Sequence, residues 1–572
     1  MSRCVEGLPA SAGIAIGPGW FYRPVAPEVT LLQDQDPEVE KARLQSASEI
    51  AKGQISRLFE IIRENVGEVE AGIFEAHLLF LDDPEFMGSI QEFIENGKIN
   101  AEAALERAVD LFVQRMLSIE DEYFQARAKD IQDVGNRLLC CLNGVSPEDI
   151  SLPDGQVIIV ADDLTPSDTV RFDRRQILGI CTVRGGPTSH TAILARSLGI
   201  PAVVNLAFQF GDLNDGALLV LNGNDGTLTI DPSPDELDRA RRATAAWQAQ
   251  RVEQLDTAHL PAVTTDGVAI EVVANIGSLE DARRAIEFGA EGVGLLRTEF
   301  LYLNRRGLPP QDEQVEIYRE IFSVFGDCPL VVRTLDIGGD KTVDYLGTRQ
   351  EPNPFLGWRA IRMIEEKPEI LTDQFCALLR AGLGFDLRVM IPMISSLDEV
   401  RRARGLLDEA RQTLSSAGLP IAENVQFGIM VEVPSAALLV DHLADYVDFF
   451  SIGTNDLAQY TLAVDRTNER VAHLASPFHP AVIGLIARTI QGAHAKGKWV
   501  GLCGEMAGDP LATPLLLGLG LDEFSMAPAS IPLVKQTLRQ LTFQDCKEIA
   551  SHALTLPTTR AVVEYLEGVN KP

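Results

Sequence analysis

The second half of the chain alternates short apolar runs with stretches of helical pattern, from about Val263 to the C-terminus. The apolar runs are short enough to be strands, and the stretches between them repeat apolar residues at helical spacing. We place the runs at 270–275, 292–297, 330–335, 387–393, 427–432, 448–453, 498–503 and 523–527. Eight alternations of strand and helix in about 300 residues predict a (β/α)₈ barrel, formed by residues 263–572.

Polar residues directly follow several of these predicted strands. They occur in the segments Arg297-Thr298-Glu299, Arg333-Thr334-Leu335-Asp336, Glu432, Thr454-Asn455-Asp456 and Cys503-Gly504-Glu505. In a barrel of this kind the chemistry gathers at the C-terminal ends of the strands. We therefore expect these side chains to meet at one mouth of the barrel.

The charged members of this set suit one kind of ligand. Arginine binds phosphate and carboxylate through paired hydrogen bonds, so Arg297, Arg333 and Arg466 fit a small ligand that carries both groups. Glu432 and Asp456 offer oxygen ligands and negative charge, which suit Mg²⁺ shared with phosphate oxygens and water. Any one of these residues alone is also consistent with a structural ion pair, whereas the whole set at strand ends favours a binding site.

A second distinctive segment, Val183–Arg196, lies ahead of the barrel. It begins after a β-type run, turns at Gly185-Gly186, and continues as a helical pattern that stops at Leu198-Gly199. His190 is thus predicted at a helix N-terminus, where unpaired N–H groups and the helix dipole stabilise a bound phosphate. The glycines allow close approach of an anion, and Thr188-Ser189 adds hydroxyl donors. Without further context, the same pattern is typical of an ordinary capped helix with a structural histidine.

The N-terminal part of the chain shows two different patterns. Residues 7–23 and several runs after residue 145 resemble short strands, whereas residues 37–142 are helical, with breaks near 82–84 and 96–98. We therefore predict an α/β domain made of residues 1–30 and 145–231, which contains His190. Four or five helices, within residues 31–144, form a subdomain inserted into it.

A polar helix is predicted to separate this domain from the barrel, within residues 232–262. Ser233 is a good N-cap, Pro234 suits the first helical position, and the helix should run to about Gln254. A long polar helix between globular parts is typical of a mechanical connector. The alternative is an ordinary surface helix of either neighbour.

Composition narrows the function classes. The chain has 572 residues and a formal net charge of −32, which disfavours nucleic acid as a partner because phosphate backbones attract basic surfaces. A basic protein partner is compatible with the acidity, although solubility alone also explains it. The eight cysteines show no pattern typical of zinc or disulfides. No apolar run approaches the roughly 18 residues of a membrane span, and no signal peptide is evident, so we expect a cytoplasmic protein.

Two groups of motifs resemble known families. The run Gly185-Gly186-Pro187-Thr188-Ser189-His190-Thr191-Ala192-Ile193-Leu194-Ala195-Arg196 resembles the phosphohistidine signature of phosphoenolpyruvate-utilising enzymes, although Pro187 stands where that family often has arginine or another polar residue. The barrel motifs resemble the enzyme I family of the phosphoenolpyruvate-dependent sugar phosphotransferase system. They are Leu295–Phe300, Arg333–Lys341, Gly428–Pro434, Ser451–Leu457 and Leu502–Glu505. The resemblance spans the chain.

The resemblance implies a reaction in two halves. Phosphoenolpyruvate (PEP) and Mg²⁺ bind at the barrel, His190 takes the phosphoryl group, and Cys503 protonates the pyruvate enolate. A lone cysteine is more often a small buried hydrophobe, but here cations would bring its pKa near neutrality. The implied substrate ligands are Arg297, Arg333, Asn455, Asp456 and Arg466, and the implied metal ligands are Glu432 and Asp456.

The resemblance also implies partners and movement. The phosphoryl group passes to a histidine of the small phosphocarrier protein HPr, which docks on the helical subdomain, and the barrel forms a homodimer. Because His190 and the barrel belong to different domains, the α/β domain is expected to swivel about the connector.

Two rival readings remain at this point. One is a pyruvate phosphate dikinase or PEP synthase, which shares the histidine loop and the barrel, but this chain has no room ahead of His190 for an ATP-binding domain. The other is a non-catalytic regulatory protein, which the intact set of charged residues disfavours.

Overall fold

The computed structural model divides into two compact units, Met1–Gln250 and Arg251–Pro572, and we describe each by itself. It describes the whole chain except residues 1, 23–28, 66–67, 118–121, 146–154, 166–167, 169–173, 187–188, 209–215, 304, 306, 340–342, 348–350, 467, 469–470 and 570–572. Within the described part, no helix combines the length and the apolar character that crossing a bilayer requires.

The N-terminal unit is built on a mixed sheet. Its strands are β1 (Arg3–Glu6), β2 (Leu8–Ser11), β3 (Ile14–Phe21), β4 (Val157–Ala161), β5 (Ile177–Thr182), β6 (Ala202–Val204), β7 (Leu218–Asn222) and β8 (Thr227–Ile230). The strand order is β1-β8-β7-β3-β4-β5-β6-β2, and β3, β4, β5 and β6 run parallel to one another. The prediction of one or two strands within residues 7–23 is confirmed by β2 and β3, and β1 is a further strand that precedes them.

The described residues between the neighbouring parallel strands β3 and β4 form five helices. They are α1 (Pro37–Asn65), α2 (Glu68–Asp82), α3 (Pro84–Gly97), α4 (Ala101–Leu117) and α5 (Glu122–Leu142). The predicted breaks near 82–84 and 96–98 are confirmed. Asp83 caps α3 by accepting hydrogen bonds from two backbone N–H groups, and Lys98 ends it in a left-handed conformation. The helices share an apolar core separate from those of the sheet, so they form a bundle of their own.

The predicted polar helix is present as α7 (Pro234–Asp256). A shorter helix of the same unit, α6 (His190–Leu198), precedes it in the chain. Glu236 Oε2 accepts hydrogen bonds from the backbone N and the hydroxyl of Ser233, each at 2.7 Å, which fixes the start of α7. None of its residues is buried. The boundary between the two compact units falls within α7, directly after Gln250.

The C-terminal unit is a closed parallel barrel. Its strands are β10 (Ala269–Ile276), β11 (Val293–Leu296), β12 (Pro329–Arg333), β13 (Asp386–Ile391), β14 (Gln426–Val431), β15 (Phe449–Ile452), β16 (Trp499–Leu502) and β17 (Glu523–Met526), and β9 (Ala262–Val263) pairs antiparallel with β10. Each barrel strand pairs with the next, and β10 closes the circle with β17. All eight predicted strands are confirmed.

Helices surround the barrel. They are α8 (Leu279–Glu287), α9 (Gln311–Phe325), α10 (Pro368–Ala381), α11 (Leu397–Ser416), α12 (Pro434–Leu438), α13 (Val440–Leu443), α14 (Thr454–Leu462), α15 (Pro480–His494), α16 (Thr513–Leu519), α17 (Ile531–Gln540), α18 (Phe543–Ala553) and α19 (Thr559–Val569). The strand interiors are almost wholly apolar because parallel strands in such a barrel are buried on both faces.

The N-terminal end of the barrel contains a buried charged cluster. Arg388 Nη1 lies 3.6 Å from Glu271 Oε2 and 3.7 Å from Glu523 Oε2. Its guanidinium group also lies over the Trp499 ring, 4.9 Å from the centroid. Neither carboxylate oxygen of Glu523 has a hydrogen-bond partner, although the residue is only 1% exposed. Burial and the neighbouring charge of Glu271 together raise the pKa of Glu523 to about 8, although Arg388 opposes the shift.

We expect Glu523→Gln to raise the free energy of unfolding at pH 9 by on the order of 2 kcal/mol and to change it little at pH 5. The raised pKa means that folding favours the protonated acid, so the stability it contributes is complete below the ordinary pKa and is lost as the pH rises through about 8. Urea unfolding at both pH values measures the difference. Glu564→Gln, at an exposed helix position paired with Arg560, is the matched control. If the free energy of unfolding falls by the same amount between pH 5 and pH 9 in Glu523→Gln and in the parent, the expectation is contradicted.

Candidate active site

The C-terminal end of the barrel brings the strand-end residues to one mouth. Arg297 directly follows β11, Arg333 is the last residue of β12, and Glu432 directly follows β14. Asp456 lies in the first turn of α14, and Cys503 directly follows β16. The mouth of the barrel therefore holds the cations, the acids and the thiol that the strand ends predicted there.

Two buried arginines and three buried acids form a connected network at this mouth. Arg333 forms an ion pair with Glu299 and lies 3.1 Å from Asp336. Arg359 Nε and Nη2 donate to the two oxygens of Asp336 at 2.7 and 2.8 Å. The same Nη2 donates to Asp456 Oδ2 at 3.1 Å. The acids thus hold both guanidinium groups in fixed positions at the mouth of the barrel.

The strand-end pattern of the sequence does not predict Arg359 as a site residue, because Arg359 does not end a strand. It follows an irregular segment that Tyr460 also holds, since the Tyr460 hydroxyl donates to Phe355 O at 2.6 Å. Gly338 makes the approach feasible, because a Cβ there would lie 2.4 Å from Trp358 O. The available signal was the pair of glycines after Asp336, which indicates a close backbone approach.

Glu432 and Asp456 are the two acids of the predicted metal site. Glu432 Oε1 accepts a hydrogen bond from Met393 N at 2.6 Å. Burial raises the pKa of Glu432, and the neighbouring charge of Asp456 raises it further. Asp456 Oδ1 is buried without a hydrogen-bond partner. Two close carboxylates that repel each other, one with an unsatisfied oxygen, fit a divalent cation.

Three more predicted residues surround this centre and are more accessible. Arg466 Nη2 lies 3.6 Å from Asp456 Oδ1. Asn455 Nδ2 donates to Glu505 Oε1 at 3.2 Å, and Glu505 N donates back to Asn455 Oδ1 at 3.2 Å. Arg297 is exposed and acts electrostatically on Cys503. These side chains are placed where a ligand at the mouth would meet them.

Cys503 lies at the top of the apolar cluster that fills the barrel, and it is only 5% exposed. Burial raises the pKa of its thiol to about 11, although Arg333 opposes the shift. The expectation of a pKa near neutrality is therefore wrong, because loss of water outweighs the nearby cations. A thiol in this state keeps its proton at neutral pH. A Cβ on Gly504 would lie 1.8 Å from Thr454 Oγ1, so only glycine fits directly after Cys503.

The predicted helix start at His190 is confirmed. The helix α6 begins at His190, and Ser189 caps it by accepting a hydrogen bond from Ala192 N. The preceding turn contains Gly185 at a φ of 103°, which favours glycine. The His190 side chain, Pro187 and Thr188 lie outside the described parts of the chain.

Comparisons with protein families agree with this arrangement. The model of the PEP-binding domain of PEP-utilising enzymes matches residues 251–543, the model of their mobile domain matches 153–226, and the model of their N-terminal domain matches 6–127. The barrel with its arginines and acids and the histidine at a helix start therefore define a PEP-utilising enzyme.

Full-length relatives identify the family. A phosphoenolpyruvate-protein phosphotransferase of Bacillus sp. (strain S) is 44% identical over 567 residues, which cover 99% of this chain and 98% of the relative. Those of Bacillus subtilis (strain 168) and Staphylococcus aureus are 43% and 42% identical, and cover 99% and 100% of this chain and 100% of each relative. The chain belongs to the phosphoenolpyruvate-protein phosphotransferase family, and it is a phosphotransferase. The predicted resemblance to enzyme I is confirmed.

Proposed function

We propose that this protein transfers the phosphoryl group of PEP to His190 and then to a histidine of the small phosphocarrier protein HPr, releasing pyruvate. The observation that carries the proposal is the match to phosphoenolpyruvate-protein phosphotransferases over 99% of the chain. The buried arginine network at the barrel mouth supports it, since PEP is a small ligand that carries phosphate and carboxylate.

The substrate site that we propose consists of Arg297, Arg333, Asn455, Asp456 and Arg466, and we add Arg359. Arg333 and Arg359 are held by acids, so their positions are fixed before the substrate binds. Such preorganised donors stabilise the charge on the equatorial oxygens of a transferring phosphoryl group. Arg297 and Arg466 are exposed and are placed to complete the contacts once PEP is present.

The metal ligands that we propose are Glu432 and Asp456, and the metal is Mg²⁺. Two carboxylates leave room for further ligands from phosphate and water, which Mg²⁺ usually keeps in protein sites. When bound, Mg²⁺ would neutralise charge on the phosphate oxygens. It would also relieve the repulsion that raises the pKa of Glu432.

Two residues, His190 and Cys503, form and break bonds in the proposed transfer step. His190 Nε2 forms a bond to phosphorus while the bond between phosphorus and the enol oxygen breaks. The electron pair of that bond stays on the released enolate, and Cys503 gives its proton to carbon 3 to form pyruvate. Solvent then restores the proton of the thiol. The buried, protonated thiol fits the role of a general acid toward carbon.

The domain roles follow the sequence boundaries and are also part of the proposal. Residues 1–30 and 145–231 carry the phosphohistidine, residues 31–144 dock HPr, and residues 263–572 bind PEP and form a homodimer. Residues 232–262 connect the domains and allow His190 to reach the phosphate. A disulfide engineered to lock the domains together should abolish turnover, and undiminished transfer in that variant would contradict the swivelling.

The experiment that tests the function is incubation with labelled PEP and Mg²⁺ in the absence of ATP. We expect acid-labile label on His190, mapped by mass spectrometry, together with release of pyruvate. His190→Ala should carry no label because it lacks the accepting nitrogen. Absence of label on the folded parent protein, or equal labelling of His190→Ala, would contradict the proposal.

A further inference from the structure

A buried hydrogen-bond network joins the end of strand β3 to the loop after β4. Tyr22 directly follows β3, is 1% exposed, and donates its hydroxyl hydrogen to Asp168 Oδ1. The other oxygen of Asp168 accepts from Thr165 N at 3.0 Å and from Thr165 Oγ1 at 2.8 Å. Tyr22 and Thr165 therefore hold both oxygens of one buried carboxylate.

The same loop packs against the helix that begins at His190. Thr191, the second residue of that helix, donates its hydroxyl hydrogen to Leu164 O at 3.5 Å. Tyr22 and Leu164 also belong to the buried apolar cluster that includes Ala192 of this helix. The loop thus connects the Tyr22 hydroxyl to the first turn of the helix through Asp168 and Leu164.

The loop also contacts two other parts of the N-terminal unit. Asp163 Oδ2 lies 2.8 Å from Lys129 Nζ of α5 in the helical bundle. Asp162 forms an ion pair with Arg184, which lies in the turn before His190, and Arg184 N donates to Asp162 O at 2.8 Å. The described residues of this loop therefore contact α5, the turn before His190 and the first turn of the His190 helix.

We propose that Tyr22 is a positioning residue for the phosphohistidine and that it holds Leu164, Thr165 and Asp168 against the first turn of the His190 helix. The inference rests on the proposed function, because it concerns the position of His190 during phosphoryl transfer. Tyr22 acts through Asp168 and the loop, and it does not touch the substrate. The rate of phosphoryl transfer depends strongly on this position, because a misplacement of the reacting atoms by about 1 Å can lower the rate about a hundredfold.

The inference is tested by rapid-quench phosphorylation of the full-length protein with labelled PEP and Mg²⁺, at several PEP concentrations. Tyr22→Phe removes one hydroxyl and keeps the ring that fills the cluster. We expect its maximal rate of phosphorylation to fall about tenfold, while the half-saturating PEP concentration stays unchanged because PEP binds in the barrel. Tyr446→Phe is the matched control, since the Tyr446 hydroxyl accepts from Arg401 on the barrel surface, and it should behave like the parent.

Two further variants break the same contact from the other side. Asp168→Asn and Thr165→Val should lower the maximal rate in the same way, and they keep the test valid if Tyr22→Phe does not fold. A lower melting temperature with an unchanged maximal rate would show a merely structural role and overturn the inference. A change confined to half-saturation would also overturn it. Absence of labelling in the parent would instead refute the proposed function.

Discussion

Cys503→Ala is expected to slow pyruvate formation by about 10²–10⁴-fold, the usual range for loss of a general acid. The Cys503 thiol is buried at the barrel mouth, and its pKa is raised to about 11, so it holds its proton throughout the neutral range. Alanine fills most of the space but offers no proton to the enolate. A coupled assay for pyruvate, run under single-turnover conditions, measures the loss.

The control for this variant is another buried barrel cysteine. Cys376 is 3% exposed, lies in α10 and packs in the apolar core of the barrel unit. Cys376→Ala should form pyruvate at the parent rate, which separates the loss of a proton donor from the loss of a buried sulfur. Pyruvate formation at the parent rate in Cys503→Ala would show that another group or water protonates the enolate.

The barrel was predictable because its strands are buried on both faces. The sequence of such a strand is a continuous apolar run, and a polar residue marks the C-terminal end of the strand at the mouth of the barrel. The first strand of the N-terminal unit was not predictable in this way. Its sequence, Arg3-Cys4-Val5-Glu6, places charges at both ends, and three of its four residues are exposed at the sheet edge. Pairing with β8, more than 200 residues away, decides its conformation.

The residues of the candidate site also differ in whether the sequence predicts them. Arg333, Glu432 and Cys503 could be selected from the sequence because each lies at the end of a strand. Arg359 could not, since its position depends on Asp336 and Asp456, which are 23 and 97 residues away in the chain.

The thiol pKa shows a second limit of sequence reasoning. The arginines near Cys503 are visible as motifs, and they alone suggest a lowered pKa. Burial is set by the packing of Leu295, Met430 and other residues inside the barrel, and it has the larger and opposite effect. The sequence predicts which cations lie near the thiol, whereas the burial that decides its pKa follows only from the fold.

Arg359→Lys is expected to lower kcat/KM for PEP by about 10²–10³-fold, the range seen when one preorganised donor to a transition state is removed. The guanidinium group of Arg359 bonds Asp336 through two nitrogens and Asp456 through one of them. Lysine keeps the positive charge that the two buried acids need, so the fold should survive. Its single amine nitrogen cannot replace the contacts to both acids and to Tyr460 and also donate to phosphate, as the remaining Nη1 hydrogen of Arg359 can.

Steady-state kinetics with varied PEP, together with a melting curve for each variant, would measure this effect. The matched control is Arg488→Lys, because Arg488 is an exposed barrel arginine that pairs with Asp441, and it should keep the parent's kinetics. If Arg359 only holds the acids in place, Arg359→Lys should lose stability and keep its kcat/KM once the folded fraction is counted. If Arg359 binds the transferring phosphoryl group, kcat/KM falls while the melting temperature changes little, because the charge that balances Asp336 and Asp456 remains.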